Sequence, residues 1–235
     1  SDLVTGGGVY SLQRAFLIDW YFVDRTLLSD RKYYPAVTPS AQCPMSHGHI
    51  EHCALLQTVT SSPVSPYPEI MQGFVRIILS ARNYVYIETP YFLPNDPVLF
   101  ALKTAASAGL DVRILVPRDN DAWFTGWASR SFLREAVEAG IGVSLYTAGF
   151  LHSKLMVCDD NICTCGSANV DFRSFENNFE ANTFFYGEAV AQRMKQVFLD
   201  DESHAMPFSL LPDHLNPPFY IRLWESLVRL ISPLM

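Results

Sequence analysis

From Ala54 onward, apolar and polar positions fall into a regular alternation of two periods. Residues 54–60 (ALLQTVT) alternate with period two and predict a strand, and 67–82 carry the 3.6-residue spacing of an amphipathic helix. Residues 84–92 (YVYIETPYF) are rich in β-branched and aromatic side chains and predict a second strand. The next helix is opened by Asn95 or Asp96, with Pro97 at its first position, and closed by Gly109. A strand at 111–117, a helix over 119–139 ending at Gly140, and a strand at 141–147 complete the run. Strands alternating with helices at this spacing predict an α/β fold, with helices on both faces of the sheet.

After residue 150 the strands crowd together at 151–159, 161–167 and 178–186. Connections that short require antiparallel neighbours, so the sheet is expected to be mixed. A helix at 188–200 follows, then a turn and Pro217-Pro218. Upstream, residues 9–28 read as a strongly apolar helix, and 31–53, with Pro35, Pro39 and Pro44, as loop. No internal repeat is visible. Three segments result: a helix and linker at 1–53, a catalytic α/β domain at 54–205, and an amphipathic helical tail at 206–235. In the tail, apolar residues at 219, 220, 223, 224, 227, 228, 230 and 231 form a broad stripe, with Arg222, Glu225 and Arg229 opposite. The stripe is expected to pack on the protein's own core; a membrane surface is the alternative.

Composition narrows the partners. With 49% hydrophobic and 17% charged residues the chain has ample material for a core. A net charge of −7 and only four lysines, without a dense basic cluster, argue against a nucleic-acid backbone as ligand. Five cysteines in no regular framework read as reduced thiols, with Cys163 and Cys165 as small apolar residues on one strand face. His47, His49 and His52, near Cys43 and Cys53, match no compact metal template, and no metal is expected. No apolar run reaches the ~18–20 residues of a membrane span.

The candidate chemistry lies in His152-Ser153-Lys154-Leu155-Met156-Val157-Cys158-Asp159, followed by Gly166-Ser167-Ala168-Asn169. On a strand, residues two apart share a face, so His152 and Lys154 are expected to point together. An ammonium can bind a non-bridging oxygen of a phosphodiester as charge builds on it. An imidazole beside it can attack phosphorus or move a proton. Ser167 and Asn169, also two apart, can donate to phosphate oxygens. Asp159, an odd separation from His152, reads as an anchor at the end of the strand. Glu180, with Glu176 as fallback, is the expected acceptor that orients the His152 ring.

These two motifs, H-x-K-x4-D and G-S-x-N, are the signature of the phospholipase D superfamily. Together with VYSLQRAFLIDWYF, YIETPYFLPND, GFLHSKLMV and GSANVDFRSFENNFEAN, they make the chain resemble the C-terminal half of bacterial cardiolipin synthases. The stretch 43–53 matches least well. The resemblance implies a phospholipase D-like α/β/α sandwich and a phosphatidyltransferase that makes cardiolipin and glycerol from two phosphatidylglycerols through a phosphohistidine. It assigns catalysis to His152, Lys154, Asp159, Asn169 and Glu180, and substrate binding to Ser167, Asn169 and Lys154, without a cofactor. It further implies a bacterial membrane enzyme with its catalytic portion on the cytoplasmic side. Family members join two motifs in one site. The expected partners are therefore an N-terminal half carrying the first motif or a second copy of this chain, with phospholipid and the membrane surface. The alternatives are a phosphodiester hydrolase, on lipid or nucleic acid, and an inactive half that only associates.

Overall fold

The computed structural model describes residues 7–35, 55–119 and 123–231. The histidine- and cysteine-containing stretch at 43–53 lies outside the described residues. The first element is α1 (Gly8–Asp24), which ends where Arg25 turns left-handed (φ 59°), one turn short of the expected Leu28. After a 3₁₀ turn at Arg31–Tyr33 come β1 (Leu55–Ser61), α2 (Glu69–Ser80), β2 (Tyr84–Glu88) and β3 (Phe92–Leu93). They are followed by α3 (Asp96–Ser107), β4 (Asp111–Pro117), α4 (Trp123–Glu138) and β5 (Gly142–Tyr146). The second half adds β6 (Leu155–Cys158), β7 (Ile162–Gly166), β8 (Val170–Asp171), α5 (Phe172–Glu176), β9 (Glu180–Tyr186) and α6 (Glu188–Glu202). β10 (Ala205–Pro207), a 3₁₀ turn at Phe208–Leu210, α7 (Pro212–Leu215) and α8 (Phe219–Leu230) close the chain.

Among the described residues, eight strands make one sheet in the order β1-β9-β7-β6-β2-β4-β5-β10. β2, β4 and β5 run parallel, and every other pairing in the sheet is antiparallel, which is the expected mixed α/β architecture. β2 sits near the middle and is buried along its whole length, which is why it reads YVYI rather than alternating. Its odd positions, Val85 and Ile87, join Phe74, Ile77, Val98, Leu102, Phe132 and Leu133 from α2, α3 and α4. Its even positions, Tyr84 and Tyr86, meet Ala191, Met194 and Phe198 of α6 on the opposite face. Each large apolar side chain removed from water in these two layers contributes about 1.5–3 kcal/mol. Cys163 is buried and Cys165 half-buried in the α6 layer, where both pack as apolar side chains.

Two predicted strands are shorter than their patterns. The 84–92 strand breaks after Glu88, because Pro90 has no N–H for the ladder. Phe92 and Leu93 then pair with Val170 and Asp171 in a separate two-stranded ribbon. The 151–159 strand reduces to Leu155–Cys158, so His152 and Lys154 precede the ladder rather than share its face. The expected boundary at 205/206 falls inside β10, which pairs with β5 and leads to the buried Phe208.

The tail departs in part from its expected orientation. α8 packs on α4 through a mixed face: Val228 enters the core as expected, but Glu225 is buried in an ion pair with Arg134, and Arg229 bonds Glu135 at 2.7 Å and lies over the Phe132 ring. Phe219, Tyr220, Leu223, Leu227 and Leu230, most of the apolar stripe, are exposed. The partner on α4 decides this. A buried guanidinium requires a carboxylate, and Glu225 can reach it only with most of the apolar stripe facing outward. No described helix is long and apolar enough to cross a membrane.

Candidate active site

The sheet register gathers the candidate residues on one rim. β6 is antiparallel to β2, with Leu155 opposite Glu88, so residues 151–154 stand just beyond the carboxyl end of β2. β7 delivers Gly166 to the same rim beside Asn182, and β9 starts there at Glu180. In α/β sheets the carboxyl ends of the parallel strands are where ligands bind.

His152 and Lys154 do come together, though through a loop and not a strand face. Lys154 Nζ donates to the His152 carbonyl at 3.0 Å and lies 3.3 Å from its Nε2. Phe150 stacks on the imidazole with ring centroids 5.7 Å apart, and the ring remains exposed to an incoming substrate. Burial lowers the pKa of Lys154 below the ordinary lysine value, against the opposing pull of Glu180 and Asp171. Those two carboxylates identify the side of the rim that the ammonium faces.

Gly166 is the pivot of the neighbouring turn. A Cβ at this position would press into the Ala181 carbonyl and the Asn182 side chain, closer than real Cβ atoms come, so the strand can pass only as glycine. The next residue, Ser167, donates its hydroxyl to Glu180 and accepts the Ala181 amide at 3.0 Å. Buried Asn182 accepts the Ala168 amide at 3.1 Å, which fixes the turn from beneath. Asn169 Nδ2 donates to Asp171 at 3.0 Å.

Glu180 belongs to this cluster, but no hydrogen bond joins it to His152. Its carboxylate is taken by Ser167 and by Asn178 Nδ2 at 3.1 Å. Glu176 accepts from Asn95 at 3.3 Å and ties α5 to the start of α3. Asp159 lies elsewhere, at the far end of β6 from His152, about 13 Å along four strand residues. There its carboxylate accepts the amides of Arg82 (2.6 Å), Asn83 (2.9 Å) and Tyr84 (2.9 Å), and so fixes the entry to β2. Asp159→Ala is therefore expected to lower the unfolding free energy measured in urea by about 1–3 kcal/mol while leaving the chemistry at His152 in place. Loss of turnover without loss of stability would contradict that division.

Sequence reasoning missed Asp171, Asn178, Asn182 and, above all, Glu88. Glu88 ends a strand buried on both faces and is itself 0% exposed. Burial pushes its carboxyl up to about 7, with Asp201 adding to the shift and the Ser153 hydroxyl opposing it. A carboxylate closing an apolar run was the available signal.

The sequence and fold match proteins already known. The profile of the family described as "Cardiolipin synthase, PLD-like domain" matches residues 74–201. The chain belongs to this family. Cardiolipin synthase of Clostridium perfringens (strain ATCC 13124) is 36% identical over 99% of the chain and 48% of its own length. The major cardiolipin synthase of Bacillus subtilis (strain 168) is 34% identical over 98% of the chain and 46% of its own length. The chain thus spans about half the length of the curated relatives it matches. Among solved structures, phosphatidylserine synthase of Haemophilus influenzae Rd KW20 superposes with a TM-score of 0.62 at 16% identity, over 77% of this chain and 48% of that one. The phospholipase D family member Nuc of Salmonella typhimurium gives 0.56 at 17% identity, over 66% of this chain and 98% of that one. At these identities the structural matches establish the phospholipase D fold.

Proposed function

We propose that this chain is the second-motif half of a cardiolipin synthase and transfers a phosphatidyl group between two phosphatidylglycerol molecules. The contact between His152 and Lys154 beyond the carboxyl end of β2, flanked by Ser167 and Glu180, carries this reading. A histidine supplied by a first motif, in an N-terminal half or a second copy, attacks phosphorus. A P–N bond forms and the P–O bond to glycerol breaks. His152 gives its proton to the departing glycerol oxygen, then takes a proton from the hydroxyl of the second phosphatidylglycerol. That oxygen attacks phosphorus, the P–N bond breaks, and cardiolipin leaves. Lys154, with hydroxyl and amide donors from Ser167 and Asn169, stabilises the phosphoryl oxygens as charge accumulates. Two identical imidazoles take opposite roles because their surroundings set different protonation states.

Product analysis separates transfer from hydrolysis. The full-length protein in phosphatidylglycerol vesicles is expected to release one glycerol for each cardiolipin formed. Glycerol accompanied by phosphatidic acid instead would make the protein a hydrolase, and no turnover with either outcome would leave an associating half without chemistry.

A further inference from the structure

Glu88 is a fully buried carboxyl at the rim whose chemistry the reaction above does not use. Neither carboxyl oxygen has a hydrogen-bond partner of good geometry, and neither reaches solvent. Such a group is costly to bury, and an apolar residue at the end of β2 would pack without that cost. Its cross-strand neighbours are apolar, Leu115 on β4 and Leu155 on β6. The polar group that approaches it is the hydroxyl of Ser153, which favours its anion. Ser153 stands between His152 and Lys154 in the chain, so the buried carboxyl lies directly behind the segment that presents both.

The surrounding charges are few. Asp201 on α6 repels the Glu88 anion, and His204, just past α6, acts on Asp201 in turn. On β2 itself Tyr86 shares the face, but its hydroxyl is held by Asp111, which with Glu202 also engages Arg113 on β4. Beyond the rim stand His152 and Lys154.

We propose that Glu88 is a proton-sensitive positioning residue: once ionised, its carboxylate draws in the neighbouring Ser153 hydroxyl and so holds the His152–Lys154 segment, and this hold weakens when the carboxyl is protonated. The difference arises because a hydrogen bond to an ionised acceptor is roughly twice as strong as a neutral one. The inference rests on His152 and Lys154 being the reacting pair. The carboxyl changes state around neutrality, so the hold is strong on the alkaline side and weak on the acid side.

The test compares wild type, Glu88→Gln and Ser153→Ala in the full-length protein on phosphatidylglycerol vesicles, with glycerol release followed from pH 5.5 to 8.5. Glycerol leaves in transfer and in hydrolysis alike, so this readout survives a change of reaction class. The wild-type to Glu88→Gln rate ratio is expected to rise from near one at acid pH to about tenfold at alkaline pH, with its midpoint near 7. In the Ser153→Ala background Glu88→Gln is expected to add nothing. A ratio that does not change with pH, or full additivity with Ser153→Ala, overturns the proposal. Thermal unfolding supplies a readout independent of activity. A carboxyl with a raised folded pKa favours the fold at acid pH and loses that advantage as pH rises through 7. Glu88→Gln should therefore gain Tm on wild type between pH 5.5 and 8.5, and an unchanged difference shows that Glu88 does not titrate as proposed. Absence of glycerol release from wild type refutes the functional reading and this inference together; phosphatidic acid in place of cardiolipin refutes only the transferase.

Discussion

His152→Ala is expected to lower cardiolipin formation by about a hundred- to ten-thousand-fold in the full-length protein, the usual effect of removing a group that moves a proton in the transition state. The loss should fall on kcat more than on KM. The imidazole is exposed at the rim and stacks on Phe150, so its removal is expected to leave the fold intact. If His152 is the acid that protonates departing glycerol, the variant should recover part of its rate on phosphatidyl substrates whose alcohol leaves without protonation. A nucleophile would show no such recovery, so the same variant distinguishes the two roles. Lys154→Ala should be comparably slow on every substrate, because charge at phosphorus needs neutralising whichever alcohol leaves. A His152→Ala protein within tenfold of wild type on phosphatidylglycerol would remove His152 from the reaction.

The second large effect concerns stability. Arg134 and Glu225 form a nearly dry ion pair, with side chains 10% and 2% exposed. Glu225→Ala should destabilise the protein by about 3–5 kcal/mol, since it leaves a buried guanidinium without its carboxylate, its Nε still donating to the His214 carbonyl at 2.9 Å. The double variant Arg134→Leu, Glu225→Leu is expected to recover most of that loss, because an apolar pair of similar volume needs no solvation. Urea denaturation of wild type, the two single leucine variants Arg134→Leu and Glu225→Leu, and the double variant gives the coupling energy directly. A Glu225→Ala variant within 1 kcal/mol of wild type would mean that α8 is held on α4 by other contacts.

How far the sequence determined this outcome depends on the range of the physics involved. Period-two and period-3.6 patterns placed β1, α2, α3, β4, β5, β9 and α6 within a few residues, because each pattern reports one element's burial against its own neighbours. The crowding of strands after residue 150 indicated antiparallel pairing for the same local reason. The spacing of His152, Lys154, Ser167 and Asn169 made the candidate site legible, and Pro90 carried a strand break that the apolar run concealed. Other features had no local signature. The route by which Lys154 meets His152 depends on where the β6 ladder begins, which is set by its pairing with β2 and β7. Glu180 was legible as a rim carboxylate, yet its partners, Ser167 and Asn178, follow from the β7–β9 register. The amphipathic pattern of α8 correctly gave a helix with two faces, and hydrophobicity alone turned the whole apolar stripe to the core, where only Val228 of it is buried among the described residues. Only the tertiary structure, by placing Arg134 on α4 under that helix, decided that Glu225 turns inward beside Val228. Glu88 shows the same division. The sequence put a carboxylate at the end of an apolar strand, but a site across the sheet from it, through Ser153, exists only once β2 and β6 are paired. Pattern along a chain reports burial, whereas a buried charge answers to its partner, and partners are supplied by the fold.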